Sequence, residues 1–138
     1  MCNCKSNEVL EEVKKVINAL AEEQDLPKRY GFSILSMLQG NYDDAAADVR
    51  YILKQRPRIG ILHRRLGELS ILKGDYKKAV PHFRKALKLN SIDFIALTWL
   101  ALSYYHLGDN EMGLRKQKEL EDLLIFMSSK NWSLTSTP

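Results

Sequence analysis

Cysteine is all but missing from these 138 residues, and the two present, Cys2 and Cys4, stand together in Met-Cys-Asn-Cys. So few cysteines exclude a disulfide framework as the source of stability and suit a reducing compartment. Taken as functional, the pair would be a lipidated cysteine, a redox couple or half of a metal site. Lipidation of the bacterial kind needs a signal peptide before the cysteine, and zinc needs two more soft ligands nearby. The sequence offers neither, which leaves a reduced, flexible N-terminus over residues 1–6.

Histidine is scarce as well: His63, His82 and His106 are the three, and none has a second ligand at metal spacing. No apolar run approaches the roughly 18 residues that cross a bilayer. Met1 to Glu12 holds no apolar stretch of the signal-peptide kind. The expectation is a cytoplasmic chain without membrane insertion. A glycine-rich phosphate loop, a calcium-loop spacing and a nucleophile motif are all absent from the sequence. Asp43, Asp44 and Asp48 fall early in an expected helix, where acids complement the dipole, so they call for no metal. An enzyme is not expected, nor a cofactor.

What the chain has is length enough for one domain with a real core, and an uneven charge. The net charge is +4, yet residues 26–92 hold fourteen bases against five acids, while 1–25 and 93–138 are both net acidic. Arg50, Lys54, Arg56, Arg58, Arg64 and Arg65 lie close together, and Lys77, Lys78, Arg84, Lys85 and Lys88 come next. Such a stretch can bind nucleic acid or an acidic partner. The simpler reading is a solvated helix surface.

A period organises the rest. Gly40, Gly74 and Gly108 are 34 residues apart, each at the end of an apolar, helix-like stretch. The residues after each glycine recur: Asn41-Tyr42, Asp75-Tyr76 and Asp109-Asn110, then Ala45, Ala79 and Gly113, then Val49, Phe83 and Gln117. Glycine takes the positive φ at which one helix stops and the next turns back. Asp or Asn after it caps the second helix. The Tyr is expected to wedge between the two helices of its hairpin, and a small residue at the closest approach lets their axes come near. Pro57 ends one hairpin or begins the next, since proline is not expected to continue a helix beyond its first turn.

This register resembles the tetratricopeptide repeat. The middle unit, 60–93, carries Leu66-Gly67, Gly74-Asp75-Tyr76, Ala79, Phe83 and Ala86. The first, 26–59, keeps Phe32, Gly40, Tyr42, Ala45 and Pro57 but has Ser33 where glycine is usual. The third, 94–127, keeps Leu100-Ala101, Tyr104 and Gly108, then departs with Gly113 and Gln117. The resemblance implies an all-α fold, a right-handed α-solenoid of three helical hairpins. Ahead of them a helix is expected over 7–25, capped by Asn7, with Val9, Val13, Val16, Ile17 and Leu20 as its apolar stripe. The whole reads as one domain, 7–127, with a loose tail over 128–138.

In this family the first helices of successive hairpins line a groove. The resemblance therefore implies a lining of Tyr30, Ile34 and Met37 from the first unit, Arg64, Glu68 and Ile71 from the second, and Thr98, Leu102 and Tyr105 from the third. Arg64 and Glu68, four apart, can pair with each other. Family members that grip a C-terminal carboxylate use Lys and Asn at set positions. Here those positions hold Tyr30, Ile34, Arg65, Ile95 and Trp99, and Arg65 alone can bind an anion. The implied partner is a protein, presenting an amphipathic helix or an extended apolar segment, with homodimerisation a further way to cover the lining. The architecture also resembles the type III secretion chaperones. A general scaffold is the alternative, and nucleic-acid binding through the basic middle is third.

Overall fold

The structure, a computed structural model, describes residues 3–20 and 22–135. Seven α-helices account for nearly all of them: α1 (Asn3–Asn18), α2 (Asp25–Leu38), α3 (Tyr42–Gln55), α4 (Gly60–Leu72), α5 (Tyr76–Leu89), α6 (Phe94–His106) and α7 (Asn110–Thr135), with one 3-10 turn at Glu22–Gln24. No strand occurs among the described residues. Helices α2 and α3, α4 and α5, and α6 and α7 are the three hairpins. The chain divides by its internal contacts into two units, Met1–Arg58 and Ile59–Pro138. The division falls where the first and second repeats were expected to meet.

Each hairpin turns on the glycine that the period singled out. Gly40, Gly74 and Gly108 have φ of 81°, 77° and 80°. The hydrogen bonds around them form one motif three times. At the middle turn, Gly74 N–H donates to the Ile71 carbonyl and Asp75 N–H to that of Ser70; Gly40 with Asn41, and Gly108 with Asp109, do the same. This closes the orphan carbonyls of each preceding helix. After the second and third glycines the next helix is capped, the Asp75 carboxylate accepting from Lys78 N–H at 3.0 Å and that of Asp109 from Met112 N–H at 3.1 Å, whereas Asn41, expected to cap α3, makes no side-chain hydrogen bond there. The backbone hydrogen bond from Lys78 holds the Asp75 carboxyl below the usual carboxylate range. A Cβ at Gly74 would meet nothing within 4 Å. Gly74→Ala therefore tests backbone conformation alone. A left-handed alanine should lower stability by about 1–2 kcal/mol, read as the shift of a urea transition. No shift would mean that the turn relaxes freely.

In the second unit Ala79, Phe83 and Ala86 of α5 meet Ala96 and Leu100 of α6 in one buried cluster, with Val80, Leu87 and Trp99 packed around it. Gly67 of α4 completes the seat, because a Cβ there would lie 2.6 Å from the Phe83 ring. In the first unit Ala45, Val49 and Ile52 of α3 and Leu35 of α2 are buried.

Four further local expectations need correction. Helix α1 begins at Asn3 and ends at Asn18, so Asn7 lies inside it and residues 3–6 are helical; Cys2 lies outside the described residues. Its stripe splits. Ile17 is buried against Gly31, while Val9, Val13 and Val16 are exposed. The notch at Gly31 of α2 fits one branched side chain, and Ile17 takes it. Helix α7 runs on to Thr135, through much of the segment expected to be a loose tail. The Tyr76 ring does not wedge inside its own hairpin: it stacks on His106 of α6, with ring centroids 4.1 Å apart and planes 11° from parallel.

Candidate functional site

The expected lining divides between the two units. In the first, Tyr30, Ile34 and Met37 of α2 are all half-buried. Beside them α2 is pinned to α3 by a polar cluster that the repeat register does not contain. Arg29 donates to Asp48 at 3.3 Å, lies 3.8 Å from Asp25, and has its guanidinium 4.1 Å from the centre of the Tyr51 ring. Tyr51 in turn donates to Asp25 at 2.9 Å. Asp48 is thus the partner of Arg29, well past the first turn of α3, and not a dipole-complementing acid as expected. Only the Arg29–Asp25 spacing was legible locally.

In the second unit the lining comes from α4 and α6. Arg64 of α4 donates to Asp93 at 2.8 Å, and Asp93 caps α6 by accepting from Ala96 N–H at 3.0 Å. One buried carboxylate therefore fixes the start of α6 against the first turns of α4. Arg64 also lies 3.5 Å from Glu68, and Glu68 receives Arg65 at 2.8 Å. The expected Arg64–Glu68 pair is present as part of a four-residue network. Arg65, the one anion donor at a carboxylate-gripping position, is already engaged by Glu68. Buried and partly buried ion pairs contribute little net stability. Their consequence here is that the charges on this face neutralise one another.

The same two helices expose apolar side chains. Ile61 is 51 %, Ile95 37 %, Leu102 43 % and Tyr105 36 % exposed. Ile61 and Ile95 stand in the same register as the expected lining but were not assigned to it. Thr98 donates to the Phe94 carbonyl and is half-buried.

Two expected members are less free than their register implies. Ile71 packs against the α5–α6 core cluster. The Tyr105 ring lies over Gly113 of α7, where a Cβ would approach it to 2.8 Å, and its hydroxyl donates to Gln117 at 2.8 Å. That contact explains the two departures in the third repeat. Glycine at 113 admits the tyrosine ring, and glutamine at 117 receives its hydroxyl. Among the described residues no group of His, Cys, Asp and Glu is placed to hold a metal ion, and no helix is long and apolar enough to cross a membrane.

The family model described as tetratricopeptide repeat matches residues 37–91 and 73–111, together more than half of the chain. No curated protein matches its sequence. Among solved structures, a crystal structure of MamA superposes with a TM-score of 0.76 at 14% identity, over 89% of this chain and 71% of that one. The MamA RS-1 ArsTM double mutant gives 0.70 at 25% identity, over 85% and 65%. A chain of the CopN-Scc3 complex gives 0.68 at 15% identity, over 80% and 64%. The chain thus spans about two thirds of the length of the structures it resembles, and such low identities speak to the fold.

Proposed function

This chain belongs to the tetratricopeptide repeat family, and we propose that it is a protein-binding module whose α4–α6 face receives an apolar or amphipathic segment of another protein. The observation that carries this reading is the make-up of that face. Ile61, Ile95, Leu102 and Tyr105 are open to solvent, while Arg64, Arg65, Glu68 and Asp93 satisfy one another. A surface whose charges are internally matched gives an extended carboxylate little to hold and an apolar side chain much to cover. Burial of apolar area at roughly 25 cal/mol per Å² supports useful affinity once association costs are subtracted. Tyr30, Ile34 and Met37 of α2 hold the same repeat positions in the first unit.

A finer reading is a chaperone of the type III secretion kind, which shields a partner segment in this way. It rests on the resemblance of architecture. The CopN-Scc3 likeness adds only that a chain of this fold sits in a complex of two proteins.

Ile95→Asp with Leu102→Asp tests the site. An unpaired carboxylate in a buried contact is costly, so the double variant should lose the proteins that the parent retains on affinity purification from its native cells. Both side chains are already half in water, so its circular dichroism and melting should stay near the parent's. Loss of helix in the variant would make these residues core. Unchanged capture by a folded variant would place the binding surface elsewhere.

A further inference from the structure

The exposed face of α5 is almost wholly cationic. Six of its residues are exposed, Lys77, Lys78, Pro81, Arg84, Lys85 and Lys88, and five of them are cations. On α1 and α7 surface cations pair with acids three or four residues away, Lys14 with Glu11, Lys15 with Glu12, Arg115 with Glu111 and Lys116 with Glu119, while α3, which exposes Arg50 and Lys54, also carries Asp43, Asp44 and Asp48. Helix α5 contains no acid at all. Lys78 reaches back to its cap, Asp75, at 3.5 Å. Lys77, Arg84, Lys85 and Lys88 make no ion pair among the described residues.

This arrangement is unfavourable to the helix itself. Lys77 and Lys78 lie in the first turn, at the positive end of the dipole, and Arg84 and Lys88 are like charges four apart. The stripe is nonetheless held rigidly, because the opposite side of the same helix is the fully buried row Ala79, Phe83 and Ala86.

We propose that the α5 stripe is a second docking surface, separate from the α4–α6 face, and that its occupant is an acidic α-helix of a partner protein. The spacing selects the partner. Lys77 and Arg84, and again Lys78 and Lys85, are seven residues apart, about 10.5 Å along the axis, with Lys88 about 6 Å beyond Arg84. Carboxylates seven apart on a second helix have the same rise, so two rows of opposite charge register over two turns. No aromatic or apolar side chain other than Pro81 is exposed on this face, and the Tyr76 ring at its start is already stacked on His106. The surface therefore exposes no aromatic ring on which to stack a base and no long apolar side chain to anchor in a lipid layer. A second copy of this chain does not supply the match, since none of its helices carries acids seven apart.

The test titrates the full chain against a fluorescent, alanine-based helical peptide with glutamates at i, i+7 and i+11, and against a peptide of the same composition with the glutamates scrambled. The registered peptide should bind roughly tenfold more tightly or better, and its affinity should fall steeply as salt screens the charges. Lys77→Glu with Arg84→Glu and Lys88→Glu should abolish binding with helix content unchanged. The Ile95→Asp and Leu102→Asp variant should bind the peptide like the parent, so failure here and failure of the α4–α6 reading are told apart. Equal affinity for the scrambled peptide would overturn the proposal. So would tighter binding of a short RNA or DNA duplex, whose phosphates need no such register, or of phosphatidylserine vesicles.

Discussion

Phe83→Ala should cost about 3–5 kcal/mol, the largest loss expected of any single substitution in this chain. The ring is fully buried. It is held on one side by Gly67 of α4, where an added Cβ would lie 2.6–2.9 Å from its atoms, and on the other by Ala96 and Leu100 of α6. Three helices thus close on one side chain, and the small residues around it cannot swing in to fill the space it leaves. A typical domain is stable by about 5–15 kcal/mol, so the variant should lose much of its margin. The complementary change is Gly67→Ala. Its methyl would overlap a ring that has no room to move, so overpacking of about 1–3 kcal/mol should outweigh the gain in helix propensity. Urea melts followed by circular dichroism and by Trp99 fluorescence, in a Trp132→Phe background, report on both. Trp99 packs against the same cluster, so its signal should move with the transition. If Phe83→Ala melts with the parent, α5 is out of register with its neighbours.

The features that were legible in the sequence are those the chain repeats locally. A turn glycine at 34-residue spacing, an Asp or Asn after it and a small residue beyond that are enough to place three hairpins to within a residue or two. The reason is that each is fixed by contacts inside one turn, and Gly74, Asp75 and Ala79 lie within a few residues of one another. Features set by residues far apart were not legible. Arg64 and Asp93 are 29 positions apart, and Arg29 and Asp48 are 19; no period marks either pair. The seat of Ile17 on Gly31 depends on where α1 lands, and an amphipathic pattern cannot decide which of five apolar residues will face inward. At Tyr105 the register could not reveal that the ring would lean onto α7. The missing Cβ at Gly113 was the available signal, and it registers only as a departure from the repeat.

Asp93→Ala should be the second most damaging change, at about 2–4 kcal/mol. The Asp93 side chain is 4 % exposed and does two things at once, capping α6 through Ala96 N–H and receiving Arg64. Alanine removes the cap, worth about 1 kcal/mol, and leaves a partly buried guanidinium with Glu68 as its remaining carboxylate at 3.5 Å. Asparagine separates the two losses, because it caps as well as aspartate but carries no charge. Asp93→Asn should therefore cost clearly less than Asp93→Ala. In a double-mutant cycle with Arg64→Met, the two positions should couple by about 1–3 kcal/mol. Zero coupling would assign the whole effect to the cap and detach the ion pair from the structure of this face. The same variants bear on function. With Asp93 neutral, Arg64 is no longer fully balanced, and the α4–α6 face carries a net positive charge. An apolar partner segment should then bind more weakly to Asp93→Asn than to the parent, although the apolar side chains are untouched. Equal binding would mean that charge matching on the α4–α6 face plays no part in choosing its partner.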